Sequence, residues 1–109
     1  MSKKKVGIIG GSKIDTEIGV RFFTSKGLHT KGYPVAPEAK QYELLLRNAP
    51  KIKSRVIEII RKITNEGLNS VIIYCNSLSS IINAENIAAN EKIRIMTPLS
   101  TYKEVANIH

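Results

Sequence analysis

The sequence predicts a single α/β domain, a three-layer sandwich on a parallel sheet. Three observations carry that reading. Two short apolar runs, Val6–Gly10 and Val71–Cys75, have the continuous, β-branched character of strands buried on both faces. Between them lies the clearest helical pattern of the chain: Ile52, Val56, Ile59, Ile60 and Ile63 recur at i, i+4, i+7, i+8 and i+11. Strands that alternate with helices make parallel sheets rather than hairpins. With 109 residues, 42% hydrophobic and 24% charged, residues 1–109 have the size and composition of one compact domain.

Each element follows from its own signals. The first strand, near residues 5–10, ends in Gly10-Gly11-Ser12, a tight turn. Ser12 or Asp15 can cap a helix that runs to about Ser25. Its apolar positions Ile14, Ile18 and Phe22 repeat at i, i+4 and i+8, and Gly27 is its stop. Leu28–Pro37 carries His29, Thr30, Gly32, Pro34 and Pro37 without a period, and reads as a loop. Glu38–Arg47 reads as a short helix. Pro50 then opens the striped helix, in which Lys51, Lys53, Arg55, Glu58, Arg61 and Lys62 take the polar positions and Gly67 the stop. That stripe is expected to face the sheet. A second strand is placed near 71–75, and Asn76-Ser77 can cap a helix over about Leu78–Ala89. Ile93–Met96 is a third strand, near 93–97, and Pro98 leads into a last helix with Tyr102 and Val105.

Composition narrows the function. Seventeen Lys+Arg against nine Asp+Glu give a net charge of +8, which suits a nucleic acid, an anionic surface or a small anion. The charges are scattered, and four Tyr, two Phe and no Trp supply a base-stacking platform poorly, which argues against nucleic acid. One cysteine excludes an internal disulfide, and a lone thiol without a signal peptide fits a cytoplasmic protein. Val6–Ile9 is too short an apolar run for a membrane span. His29 and His109 sit in no metal-ligand spacing. Lys40 and Arg47 are candidate anion partners, but they read first as solvated charges.

Chemistry concentrates at two strand-to-helix corners, where parallel sheets bind ligands. At Gly10-Gly11-Ser12, glycines admit a close backbone approach and the helix start offers N–H groups to an anion. The spacing Gly7-x-x-Gly10-Gly11 is not the dinucleotide fingerprint, and no Gly-Lys-Ser/Thr follows to make a P-loop. The corner also reads as a plain tight turn. At Tyr74-Cys75-Asn76-Ser77, the thiol stands at the end of a buried strand and the start of a helix, an environment that favours an anion. A thiolate there is a candidate nucleophile or general base. The same position also suits a small buried hydrophobe.

Together the corners resemble the aspartate/glutamate racemase family. Lys5-Val6-Gly7-Ile8-Ile9-Gly10-Gly11 is similar to the family's opening "IGIIGG", and Cys75-Asn76-Ser77 to its "CN[ST]" motif. The interval between the motifs and the helix before the cysteine strand also match. Ser12-Lys13-Ile14 stands where the family has Gly-Pro, and Ser77-Leu78 where it usually has Thr-Ala. The resemblance implies an amino-acid racemase or isomerase of two α/β lobes, each supplying one cysteine, working without pyridoxal phosphate, metal or any other cofactor. It implies Cys75 as the first-lobe acid/base, Asn76 and Ser77 as substrate contacts, and Gly11 and Ser12 as first-corner contacts. The ligand expected is a small amino acid or dicarboxylate. With the second cysteine missing from this chain, the expectation is a first lobe whose partner is a second lobe or a second copy in a homodimer. In that homodimer the two Cys75 sulfurs would lie within roughly 10 Å across a shared cleft, the scale of a small substrate between two acid/base groups. The alternatives are an inactive anion- or dicarboxylate-binding relative and a small basic nucleic-acid-binding domain.

Overall fold

The computed structural model describes residues 5–75, 78 and 84–97. The elements are β1 (Lys5–Gly10), α1 (Lys13–Ser25), β2 (His29–Pro34), α2 (Ala39–Leu46), α3 (Ala49–Asn65), β3 (Ser70–Ile73), α4 (Ala84–Glu91) and β4 (Arg94–Met96). Leu78 is helical and buried. The expected helix beyond Pro98, with Tyr102 and Val105, lies outside the described residues.

Among the described residues the sheet has four strands, all parallel, in the order β2-β1-β3-β4. Side chains alternate across it as the period of two requires. Val6, Ile8 and Ile72 face α1, where Val20 and Phe23 pack on them. Ile9, Val71 and Ile73 face the other side, where α3 presents Ile52, Val56, Ile59, Ile60 and Ile63, all buried. The helical stripe therefore covers the sheet as the sequence predicts, and helices lie on both of its faces.

Both long helices end in the same way. Gly27 and Gly67 adopt φ of +91°. After α1, the Leu28 and Gly27 amides donate to the Phe23 and Thr24 carbonyls; after α3, those of Leu68 and Gly67 donate to Ile63 and Thr64. This is the left-handed closing turn that glycine adopts without Cβ strain.

Two expectations are corrected. Leu28–Pro37 is not a loop throughout: His29–Pro34 is an edge strand paired in parallel with β1 from Lys5↔His29 to Gly10↔Pro34. It shows no clear hydrophobic period because only one edge is paired and Tyr33 alone in it is fully buried. Pro34, which lacks an N–H, is tolerated at such an edge. The second correction concerns α1. Its regular series Ile14, Ile18 and Phe22 is exposed by 70%, 50% and 48%. The fully buried positions are Thr16 and Gly19. The helix sits so close to the sheet that a Cβ at Gly19 would stand 2.7 Å from the Tyr74 ring, and one at Gly32 2.9 Å from the Thr16 methyl. Small residues make that approach possible, and the large ones turn outward. Strand and helix bounds also differ: the cysteine strand ends at Ile73, the last strand spans Arg94–Met96, and α4 runs to Glu91.

Candidate functional site

The winding of the sheet reverses at β1. Its successor β2 lies on one side, and β3, reached through α2 and α3, lies on the other. In open parallel sheets the crevice beyond such a reversal is where ligands bind. The two corners singled out in the sequence meet there. Beyond β3, the Tyr74 amide donates to the Ile9 carbonyl at 2.8 Å and continues the pairing with β1 by one residue. That bond carries Cys75 alongside the Gly10-Gly11 corner.

The first corner is built by hydrogen bonds. The Ser12 side chain caps α1, accepting from the Asp15 amide at 3.3 Å and donating to Asp15 Oδ2 at 3.0 Å. The Thr16 hydroxyl donates to the Ser12 carbonyl at 2.7 Å. The Val35 and Ala36 amides donate to the carbonyls of Gly10 and Gly11, so the chain leaving β2 lies along the corner. Ser12 is 4% exposed and serves as the helix cap.

The second corner is completed by a residue the sequence did not single out. Tyr42, on α2, places its hydroxyl 3.0 Å from Cys75 Sγ. Its ring lies against Gly11, where a Cβ would meet ring carbons at 2.6 and 2.7 Å. The missing side chain at Gly11 is what makes room for the phenol. Tyr42 is buried and Cys75 half-buried on the α3 side of the sheet. Burial, then the hydrogen bond to Cys75 and the charges of Cys75 and Asp15, hold the Tyr42 hydroxyl well above the usual tyrosine range. Tyr42 therefore keeps its proton, and whenever Cys75 is a thiolate the phenol donates to sulfur.

Of the residues named for the site, Gly11 and Cys75 are brought together by Tyr42, and Ser12, next to Gly11, is taken up as the helix cap. Asn76 and Ser77 lie outside the described residues. Lys40 and Arg47 are exposed on and just after α2. Tyr42 gave no sequence signal, because it is 33 residues from Cys75 and no spacing rule connects them. Among the described residues, no three His, Cys, Asp or Glu side chains stand close enough to hold a metal ion, and no helix is long and apolar enough to cross a membrane.

A second polar cluster lies on the outer strand. The Lys31 ammonium and the Tyr33 hydroxyl both donate to Glu66 Oε2 at 2.7 Å. These two donors hold the Glu66 carboxyl below the usual carboxylate range. Burial and the Glu66 hydrogen bond hold Tyr33 above the tyrosine range.

The site thus belongs to a doubly wound parallel α/β domain with a thiol–phenol pair at its switch point. Comparison of the chain with protein-family models, curated proteins and solved structures finds no match.

Proposed function

We propose that the chain is one lobe of a cofactor-independent amino-acid racemase or isomerase, akin to the aspartate/glutamate racemase family, with Cys75 as its acid/base. The observation that supports this is the Cys75 Sγ–Tyr42 Oη pair at 3.0 Å at the switch point of the sheet. Removing a Cα proton requires a base and a group that holds it in position. The Tyr42 hydroxyl, 3.0 Å from the sulfur, is such a group. In the step proposed, the Cα–H bond breaks, an S–H bond forms, and the electron pair left on Cα spreads into the substrate carboxylate.

One thiol serves one face of the substrate. Alone, this chain takes the proton and returns one to the same face, so exchange proceeds with retention. Inversion needs a donor opposite, from a second lobe or a second copy. The test is incubation with L-aspartate, L-glutamate and other amino acids in heavy water, read by mass spectrometry and chiral chromatography. Deuterium should enter at Cα with little D-isomer formed, and Cys75→Ser should abolish it. Exchange that persists in Cys75→Ser would remove Cys75 from the chemistry. Saturable binding with no deuterium uptake would favour a binding domain instead.

A further inference from the structure

The outer face of α1 stands apart from the site and from the hydrophobic core. We propose that it is a self-association surface, occupied in solution by the same face of a second copy in antiparallel, two-fold pairing. The helix is apolar on both sides. Val20 and Phe23 pack on the sheet, while Ile14, Ile18 and Phe22 form a straight outward file, 70%, 50% and 48% exposed. A contiguous apolar file on a soluble domain marks an interaction surface.

The charges beside the file identify the occupant. At 3.6 residues per turn, Glu17 and Arg21 lie on one flank and Asp15 and Lys26, the residue closing the helix, on the other. On each flank the acid is nearer the amino end and the base nearer the carboxyl end. Two copies laid antiparallel across a two-fold axis level with Gly19 bring each flank against its own counterpart. Glu17 then meets the partner's Arg21, Asp15 meets the partner's Lys26, and Ile14 meets the partner's Phe22. A parallel pairing sets like charges together. The four flanking charges cancel within a chain of net charge +8, so this strip is self-complementary where the chain as a whole repels its own copies. A strongly acidic foreign partner gains little from it.

Three apolar side chains make a seam well below the ~800 Å² per partner of a standard stable interface, so the dimer is reversible and concentration-dependent. It does not involve Cys75, which packs on the opposite side of the sheet. The inference is therefore independent of the proton-transfer reading.

Sedimentation equilibrium of the full chain over a range of concentrations and salt tests it. The expected result is a monomer–dimer equilibrium that salt weakens. Ile18→Glu and Arg21→Glu should each weaken it about tenfold, and adding Glu17→Arg to Arg21→Glu should restore it. All three positions are exposed, so the variants keep the fold, which far-ultraviolet circular dichroism checks. In a Cys75→Ser background, Ile18→Cys should oxidise to a disulfide-linked dimer, while Leu44→Cys, equally exposed on α2, should not. A chain monomeric at every concentration overturns the proposal, as does a dimer that survives Ile18→Glu. Failure of the double charge swap to restore pairing overturns the antiparallel arrangement. If Ile18→Glu lowers the stability of the monomer, the face is covered from within the chain, and self-association through it is excluded.

Discussion

At the scale of single residues, the candidate site is a reciprocal fit. Gly11 has no side chain, so the Tyr42 ring reaches the corner; the ring is there, so its hydroxyl reaches Cys75. Tyr42→Phe keeps the ring and removes the donor. It should cost about 1 kcal/mol or less in urea unfolding, since a single hydrogen bond is at stake. It should also change the rate of iodoacetamide alkylation of Cys75 at a fixed pH, because the group bonded to the sulfur is gone. An unchanged rate would reduce Tyr42 to a packing group. Gly11→Ala acts the other way: the new methyl meets ring carbons of a buried side chain and pushes α2 outward. It should destabilise the fold by about 1–3 kcal/mol, as overpacking does. None of this is visible in the sequence, where Tyr42 is one aromatic residue in a short amphipathic helix. The cysteine and the double glycine were visible, because strand, glycine turn and helix start are local patterns.

At the scale of elements, α3 is the part of the fold most fully written in the sequence. Its five stripe positions are all buried, and Asn48 caps it through the Lys51 amide. Ile60→Ala, at a site with no exposure, should cost about 2–5 kcal/mol. That is a large share of the roughly 5–15 kcal/mol that holds such a domain together. Its stop can be tested more finely. A Cβ at Gly67 would touch nothing within 4 Å, so Gly67→Ala isolates the cost of a left-handed backbone. The loss should be about 1 kcal/mol by urea denaturation, and Gly67→Asn should lose less. The first helix shows where periodicity misleads. Ile14, Ile18 and Phe22 recur as a buried face would, yet the face against the sheet is set by Thr16 and Gly19. A helix can approach a sheet closely only over small side chains, and no count of apolar spacing contains that distance. The edge strand β2 was missed for a related reason: its order comes from hydrogen bonds to β1 rather than from its own side chains.

At the scale of the whole molecule, stability should fall toward both ends of the pH range. Glu66 has its carboxyl held below the ordinary 4.5 by Lys31 and Tyr33. As pH falls, the unfolded chain takes up this proton first. The stabilisation is full above the ordinary value and is lost as pH drops through the folded one. Glu66→Gln should flatten the acid limb of a plot of urea midpoint against pH. Tyr33 and Tyr42 have hydroxyls held above the ordinary 10.0. Above that pH the unfolded chain releases phenol protons that the folded chain retains, so stability falls, and Tyr33→Phe should soften that limb.

By itself the sequence determined the class of fold, the parallel sense of the sheet, the face of α3 that is buried, and the places of the two strand-to-helix corners. Each of these is a short-range consequence of residue type: periodicity, β-branching, and glycine at a turn. Tertiary structure alone decided that β2 is a strand, that the strands order as β2-β1-β3-β4, that Tyr42 stands over Gly11 and beside Cys75, and that the regular apolar file of α1 points away from the core. These depend on how closely separate elements approach one another. That distance is set by the side chains of both partners together, so neither segment carries it alone.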